Sequence, residues 1–283
     1  MSMSNGAVIV TGAGGYIGPH VVKALLDTGH SVAAVVRPGS VARLDPRATL
    51  IEMDILADDV ELDIFEHAEG LVHLAWQDGF AHNSSAHMSQ VSSHYRFVTG
   101  AAARGCPRIV TLGTMHEVGY WEGAINAETP TNPLNQYGIA KDALRRSLPL
   151  ALTDTSMAWV RCYYIYGDDR RNNSVFKKIL DAVDAGSESF PFTTGRNRYD
   201  FIRVEDLGRQ IAAVFSAAEE TGVINCCSGE PVSLADKVEQ FITENRLPIT
   251  LEYGAFPDRP YDSPGVWGDA TRIKNILRSI EQV

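Results

Sequence analysis

Cysteine and long apolar runs are both scarce in this sequence, and their scarcity excludes several classes of protein. The 283 residues include four cysteines, of which Cys226 and Cys227 are adjacent and fit neither a disulfide framework nor a metal-ligand spacing. No apolar run approaches the length of a membrane span. The first six residues lack the charged and apolar regions of a signal peptide. We therefore expect a cytoplasmic protein with reduced thiols, no bound metal and no membrane partner.

Positive charge is also in short supply. The chain has 25 Lys and Arg against 35 Asp and Glu, a net charge of −10, and a pI near 5.3. An acidic surface repels phosphate backbones, so we do not expect nucleic acid as a partner, although a local basic pocket for a small phosphorylated ligand is compatible with this charge. The hydrophobic content of 45% suits a sizeable core in one large domain or two unequal lobes.

Alternating strands and helices are predicted along the chain. Short apolar runs predict seven strands, at 7–10, 31–36, 49–53, 70–75, 108–112, 157–161 and 223–226. Apolar residues at three- and four-residue steps predict a first helix that Gly29 ends, and further helices at 84–104, 137–148, 175–183, 206–218, 234–245 and 271–277. We expect Pro149 to close the 137–148 helix. The pattern predicts a parallel sheet covered by helices on both faces.

The first predicted strand runs directly into a glycine turn and then into a helix. Gly12, Gly14, Gly15 and Gly18 lie in this turn, at residues 11–18. Glycine permits a tight turn, close approach of the backbone to a pyrophosphate and close packing of helix on strand. The helix N-terminus then offers free N–H groups to the phosphates. Because the glycines follow a strand and open a helix, they predict a dinucleotide site rather than a purely structural turn.

The end of the second predicted strand bears on which dinucleotide is bound. An acidic residue there binds the 2′-hydroxyl of NAD, whereas an arginine accommodates the 2′-phosphate of NADP. Arg37 supplies a positive charge at this place and Ser40 supplies a hydroxyl. The pattern favours an arginine that binds the 2′-phosphate of NADP(H) over a solvated arginine without a role. NAD(H) is the other coenzyme that the site could bind.

A tyrosine and a lysine four residues apart indicate acid–base chemistry. Tyr137 and Lys141 share one face of a predicted helix. A free tyrosine has a pKa near ~10, and a nearby ammonium is expected to lower it towards the working range. The alternative is an incidental pair on an amphipathic helix. Thr114, at the end of the fifth predicted strand, supplies a third polar group. His73 lies inside a predicted strand, and we assign it no catalytic role.

In their order along the chain, these motifs resemble the extended short-chain dehydrogenase/reductases, specifically the NAD(P)-dependent epimerase/dehydratase group that acts on nucleotide-sugars. The matching segments are 11–18 (TGxxGxxG), Thr114 with 117–119, 137–141 (YxxxK), 161–167 (RxxNxYG), 199–206 (RDFIxVxD) and 225–231 (NxxSGxP). Each segment is a weak signal alone, but six in order over nearly the whole chain are a strong one.

The resemblance implies a fold and a set of roles. The implied fold is α/β, a Rossmann-type doubly wound parallel sheet with a smaller C-terminal substrate lobe. The nucleotide domain would span 1–167, with later crossings at about 200–227, and the substrate lobe mainly 168–283. Tyr137 would be the proton donor or acceptor, Lys141 would hold the nicotinamide ribose as well as lower the tyrosine pKa, and Thr114 would bind the reacting oxygen. The helices at 84–104 and 137–148 would form a homodimer interface.

The resemblance also implies site residues beyond these three. The implied cofactor-binding residues are Gly12, Gly14, Gly15, Tyr16, Ile17, Gly18, Arg37, Ser40, Asp54, Ile55, Leu74, Ala75, Tyr137, Lys141 and Tyr164. The implied substrate-binding residues are Trp76, Thr114, Met115, His116, Asn173 and Arg198. Trp76 begins the loop 76–85, which leaves the carboxyl end of a strand, where open α/β sheets bind ligands.

Several departures from the family pattern bear on the reaction. Dehydratases of this group carry an Asp-Glu pair directly after the threonine, whereas this chain has Met115 and His116 there and Glu117 one position too late. Tyr164 stands where Asn is usual, and Tyr199 where Arg is usual, with Arg198 as a possible substitute.

The short substrate lobe and the run 113–142 resemble nucleotide-sugar 4-ketoreductases. We therefore predict NADPH-dependent reduction of a 4-keto-6-deoxy nucleotide-sugar. A nucleotide-sugar 4-epimerase with tightly bound NAD and an NADP-binding sensor without chemistry are the alternatives.

Overall fold

The computed structural model describes residues 6–41, 44–167, 169–258 and 262–281. The strands in chain order are β1 (Ala7–Thr11), β2 (Ser31–Val36), β3 (Thr49–Glu52), β4 (Gly70–His73), β5 (Arg108–Thr114), β6 (Gly123–Ile125), β7 (Ser156–Cys162), β8 (Tyr164–Tyr166), β9 (Ser189–Pro191), β10 (Arg198–Arg203), β11 (Gly222–Cys226), β12 (Pro231–Ser233), β13 (Thr250–Glu252) and β14 (Gly265–Gly268). The helices are α1 (Gly18–Asp27), α2 (Ala86–Ala103), α3 (Gln136–Ala151), α4 (Val175–Asp184), α5 (Val204–Ser216), α6 (Leu234–Glu244) and α7 (Thr271–Glu281). Short 3₁₀ turns lie at Asp63–Phe65, Met115–Glu117 and Asp169–Arg171.

A seven-stranded parallel sheet forms the centre of the molecule. Its strand order is β3-β2-β1-β4-β5-β7-β11, and all of its neighbouring strands run parallel. After β3 the chain crosses to the other side of β1, so β1 and β4 are neighbours at the point where the strand order reverses. Open α/β sheets bind ligands at the carboxyl ends of strands at such a point. The predicted α/β doubly wound parallel sheet is confirmed.

Apart from the edge strand β3, the strands of this sheet are buried on both faces, as expected when helices cover an all-parallel sheet. Alternate residues of β1 enter two different cores, with Val8 and Val10 in one and Ile9 in the other. The first core includes α1 and α5, and the second includes α2 and α3. The site therefore rests on elements that packing holds on both sides.

A smaller group of strands lies outside this sheet. The strands β12, β10, β14 and β6 are paired in that order, β8 adds to β10, and β13 pairs with β9. The carboxylate of Asp200 in β10 accepts hydrogen bonds from the Ser228 amide (2.8 Å), the Ser228 hydroxyl (2.6 Å), the Gly229 amide (2.9 Å) and the Gly268 amide (3.1 Å). Hydrogen bonds to this one carboxylate thus hold the segments 199–206 and 225–231 together. The division into lobes at about 167 stays a prediction.

Helix α3 runs further than predicted. It continues through Pro149 to Ala151, so the expectation that Pro149 closes it is wrong. The helix tolerates the proline because it lies in the last turn, and Leu152 still donates its amide to the Leu148 carbonyl at 2.9 Å. Among the described residues, no helix is both long enough and apolar enough to cross a bilayer.

Candidate active site

The glycine turn lies between β1 and the N-terminus of α1. Gly12 has φ +69°, and a Cβ there would lie 2.7 Å from the Ala75 amide nitrogen, while a Cβ on Gly18 would lie 2.3 Å from the Gly12 carbonyl oxygen. A side chain at either position would force the backbone apart. No side chain caps the first turn of α1, which leaves its amides available to an anion. This cradle fits the pyrophosphate of a dinucleotide.

The end of β4 lies against the same turn. Leu74 donates its amide to the Thr11 carbonyl at 3.2 Å, and the Ala75 amide donates to the Thr11 hydroxyl at 3.4 Å. These contacts bring the predicted cofactor residues Leu74 and Ala75 beside Gly12. Tyr16 donates its hydroxyl to the Gly167 carbonyl at 2.6 Å. Hydrogen bonds therefore join the end of β1 to the segment after β4, and the glycine turn to the segment after β8. These are the elements that would enclose a dinucleotide.

The predicted cofactor residues on β2 and β3 lie further along the edge of the sheet. Arg37 and Ser40 are exposed in the loop after β2. The Glu52 carboxylate accepts a hydrogen bond from the Gly39 amide in that loop at 3.1 Å. The loop therefore carries an acidic group as well as the basic Arg37. Ile55, in contrast, is 8% exposed and packs in the core, so only the exposed Asp54 presents a side chain there.

Thr114 is held at the end of β5 by a capping box. Its hydroxyl accepts from the His116 amide at 3.3 Å, while Glu117 accepts from the Thr114 amide at 2.8 Å. Glu117 is fully buried, and it also accepts from Trp159 Nε1 at 2.9 Å and lies 3.5 Å from Arg161 Nε. Burial raises the pKa of Glu117, and Arg161 opposes that effect. Glu117 therefore positions the backbone of Thr114 from inside the core and does not face a substrate.

Tyr137 and Lys141 lie one turn apart at the start of α3. Lys141 is 1% exposed, its Nζ donates to the Leu112 carbonyl at 2.8 Å, and it lies 3.8 Å from the centre of the Trp76 ring. Burial lowers the pKa of Lys141 to about 7. Gly138 lets the helix approach closely, because a Cβ there would lie 2.4 Å from the His116 carbonyl oxygen.

The expectation that Lys141 lowers the pKa of Tyr137 is wrong for this structure. Burial raises the pKa of Tyr137, and the neighbouring Thr114 side chain only partly opposes the rise. Lys141 points at a carbonyl and an indole ring, and its own charge is reduced by burial. The phenol of Tyr137 is therefore protonated at neutral pH, as a proton donor requires.

Imidazole and indole rings surround Tyr137, and sequence reasoning missed two of them, His82 and His87. The His82 ring lies parallel to the phenol, with centroids 5.7 Å apart, and 4.3 Å from the His116 ring. The His87 ring lies 5.2 Å from that of Tyr137, and His87 Nδ1 accepts from Trp76 Nε1 at 3.0 Å. The position of loop 76–85 after a predicted strand was the signal that could have pointed to His82, whereas His87 follows that loop in α2.

His73 belongs to a buried polar chain behind this group. Its two ring nitrogens lie 2.9 Å from the Thr11 hydroxyl and 3.0 Å from His94 Nδ1. Burial lowers the pKa of His73 well below its usual range. His73 is therefore a neutral, hydrogen-bonded histidine within a strand. Across the described ranges, no group of three or more His, Cys, Asp or Glu side chains could hold a metal ion.

The other predicted substrate residues are placed less centrally. Met115 is 7% exposed and packs in the larger core, so it offers little surface to a ligand. Arg198 donates to the Pro231 carbonyl at 2.8 Å from the smaller sheet, and Asn173 is exposed before α4. Tyr164 packs 4.3 Å from the Tyr199 ring. The structure thus brings together Thr114, Tyr137, Lys141, Trp76 and His116, but not the whole predicted set.

A glycine cradle and a threonine at the carboxyl ends of parallel strands, with a tyrosine and a lysine on the adjoining helix α3, define a nicotinamide-dependent enzyme class. A sequence model of the NAD-dependent epimerase/dehydratase family matches residues 8–227. The chain belongs to this family, which confirms the family that the motifs predicted.

One relative is similar over nearly its whole length. It is dTDP-6-deoxy-L-talose 4-dehydrogenase (NAD(+)) of Aggregatibacter actinomycetemcomitans, 46% identical over 267 residues that cover 92% of this chain and 98% of that one. Such identity supports the same enzyme family independently of the family match.

Solved structures share the fold. The UDP-N-acetylglucosamine 4-epimerase of Methanobrevibacter ruminantium, in complex with UDP-N-acetylmuramic acid, has a TM-score of 0.81 at 20% identity and covers 97% of this chain and 92% of its own. The UDP-glucuronic acid 4-epimerase of Bacillus cereus, in complex with UDP-glucuronic acid and NAD, has a TM-score of 0.78 at 20% identity and covers 96% of this chain and 93% of its own. At these identities the likeness establishes the architecture alone.

Proposed function

We propose that this enzyme interconverts the 4-keto and 4-hydroxy forms of a 6-deoxy nucleotide-sugar, reduction being the direction that the sequence predicted. The observation that carries the proposal is the placement of Tyr137 one helical turn from Lys141 at the start of α3, with Thr114 at the end of β5 and the glycine cradle close by. The relative named as a 4-dehydrogenase of a dTDP-linked 6-deoxy sugar supports both the substrate class and the reacting carbon.

The residues of this chain supply the proton and the orientation. A nicotinamide dinucleotide bound in the glycine cradle supplies or accepts the hydride. In the reducing direction, Tyr137 donates its phenolic proton to the oxygen of the ketone as negative charge develops there. Thr114 donates its hydroxyl to the same oxygen and so aligns the substrate. Lys141, buried beside the tyrosine with its Nζ on the Leu112 carbonyl, would hold the ribose of the coenzyme.

Elimination of water is the reaction that the site supports least. It needs a carboxylic acid and a base near the sugar, on either side of the bond that breaks. Glu117, the acid nearest in sequence to Thr114, is fully buried among Trp159 and Arg161. Met115 cannot transfer a proton. These two placements support oxidoreduction over dehydration.

We propose NAD(H) as the coenzyme, in place of the NADP(H) that Arg37 alone favours. Glu52 already occupies the Gly39 amide in the loop after β2, and its carboxylate would repel a 2′-phosphate bound over that loop. The name of the 46% identical relative specifies NAD(+). Arg37 leaves some capacity for NADP(H).

The test is an assay of coenzyme oxidation with a panel of nucleotide-linked 4-keto-6-deoxy sugars, and of coenzyme reduction with the matching 4-hydroxy sugars. We expect turnover with exchangeable coenzyme. A 4-epimerase, which the family description supports as the second candidate, would instead retain bound NAD through purification and invert C-4 without net coenzyme turnover. A sensor would bind coenzyme and turn over none of the sugars.

We also propose a homodimer that forms through α2 and α3. These helices pack together and leave large apolar side chains in solvent, namely Met88 (47% exposed), Tyr95 (37%), Ile139 (42%) and Leu150 (84%). Burying such a surface between two copies would stabilise a symmetric pair. A cytoplasmic location is part of the same proposal, because all four cysteines are unpaired thiols.

A further inference from the structure

His82 stands beside the reacting tyrosine without a role in the proposed proton transfer. Its carbonyl accepts the Tyr137 amide at 2.9 Å, and the neighbouring Asn83 side chain accepts the Gln136 amide at 3.2 Å. Two hydrogen bonds thus hold loop 76–85 against the N-terminus of α3. The His82 ring lies 9° from parallel to the phenol of Tyr137. The imidazole is therefore held in place beside Tyr137.

His116 lies next to His82 and forms a pair with it. The two ring centroids are 4.3 Å apart, and the His116 centroid is 6.0 Å from that of Tyr137. Burial lowers the pKa of both rings, that of His116 to about 4. Both imidazoles are therefore neutral at physiological pH. A neutral imidazole has one N–H donor and one acceptor nitrogen, which suits a hydroxyl group better than a phosphate.

The hydrogen-bonding capacity of this pair is unused within the described part of the chain. No described residue forms a hydrogen bond with a ring nitrogen of either histidine. His87 differs, because its Nδ1 accepts from Trp76 and its Nε2 lies 2.9 Å from the Ala81 carbonyl oxygen. His87 therefore belongs to the scaffold of the loop. The donors and acceptors of His82 and His116 remain available to a ligand that contacts Tyr137.

We propose that His82 and His116 form a specificity site for the hydroxyl group on the sugar carbon adjacent to the one that reacts. This inference rests on the proposed function, in which Tyr137 contacts the oxygen on C-4. A neighbouring hydroxyl lies one ring carbon away, and the two imidazoles beside the phenol are placed to bind it. His82 lies in loop 76–85, outside the segments that match the family motifs.

The test uses His82→Phe, which retains a flat ring for the contact with Tyr137 but removes both nitrogens. It compares a nucleotide-linked 4-keto-6-deoxyhexose with its 3-deoxy analogue. One neutral hydrogen bond corresponds to a loss of about 2- to 13-fold in kcat/KM. We expect that loss for the hydroxylated sugar, a change of less than about twofold for the 3-deoxy analogue, and an unchanged coenzyme Kd. We expect His82→Asn, which keeps a donor and an acceptor, to lose less kcat/KM with the hydroxylated sugar than His82→Phe does.

The matched control is His67→Phe at an exposed histidine outside the site, which should behave as wild type with both sugars. Equal losses for the two sugars in His82→Phe would mean that the ring acts only by packing on Tyr137, and would overturn the specificity site. If the ratio of kcat/KM between the hydroxylated and the 3-deoxy sugar stays at its wild-type value in His82→Phe, the specificity site is overturned as well. If wild type turns over neither sugar and binds no nucleotide-sugar, the proposed function fails first and the inference fails with it.

Discussion

The burial of Lys141 leads to a quantitative prediction about how the stability of the fold depends on pH. Lys141 is 1% exposed, and burial lowers its pKa from 10.5 to about 7. Between these two values the unfolded chain binds a proton that the folded chain does not, so stability rises with pH across this window. Below about pH 7 the folded state carries the full cost of the buried charge, and the cost disappears as pH approaches 10.5.

Replacing this lysine by methionine removes the charge and keeps most of the side-chain volume. Taking 1.36 kcal/mol per pKa unit, the cost in wild type is about 4 kcal/mol at pH 7 and about 1 kcal/mol at pH 9.5. The variant also loses the hydrogen bond to the Leu112 carbonyl, worth about 1 kcal/mol. We therefore expect Lys141→Met to be more stable than wild type at pH 7 by about 1–3 kcal/mol, with turnover abolished and coenzyme binding weakened.

Urea denaturation of the coenzyme-free protein at pH 7 and pH 9.5 measures this effect. The difference in unfolding free energy between variant and wild type should shrink by about 3 kcal/mol at the higher pH. Other titrating groups contribute to both proteins and cancel in this difference. Lys178→Met, at an exposed position on α4, is the control and should show the same difference at both pH values. A stability gain for Lys141→Met that does not change with pH would refute the reasoning.

The remaining predictions concern chemistry, coenzyme and assembly. Tyr137→Phe should bind coenzyme normally and lose about 10²- to 10⁴-fold in turnover, and near-normal reduction would show that the proposed acid is wrong. Thr114→Val should lower kcat by less, with an unchanged coenzyme Kd. Arg37→Asp should weaken residual NADP(H) binding by about 10- to 100-fold, whereas Glu52→Gln should strengthen it; titration of both coenzymes checks this, and a wild type that prefers NADPH tenfold contradicts the NAD(H) proposal. Sedimentation at micromolar concentration should give a dimer that Tyr95→Glu dissociates, and a monomeric wild type would count against the α2–α3 interface.

The central sheet could be predicted from sequence because its strands are continuous apolar runs. All seven predicted strands belong to it, each within a few residues of the observed bounds. The strands of the smaller sheets were missed because they are three to six residues long and gain their order from pairing with distant segments. A run such as 123–125 carries no periodicity that distinguishes a strand from a loop.

The parts of the site whose spacing a family motif fixes could be predicted from the sequence. The properties that depend on the three-dimensional surroundings of a residue could not. The approach of Tyr137 and Lys141 follows from their four-residue separation on a helix. The rise in the pKa of Tyr137 could not be foreseen, because it depends on how deeply α3 is packed against the segment after β5. His82 was missed for a similar reason, since nothing in the sequence of loop 76–85 shows which of its side chains turns towards the tyrosine.

The exchange of strands between the two sheets has a consequence for how the molecule can be divided. Strand β6 lies early in the chain but pairs with β14 near the C-terminus, while β11 returns from the second half to pair with β7. The Asp200 carboxylate joins the segment after β11 to the end of β14. A fragment that ends at residue 167 would lack the edge strand of its own sheet and would expose β6 without a partner. The two sheets should therefore denature in one cooperative transition, and protease nicking between them should not release an independently folded coenzyme-binding half.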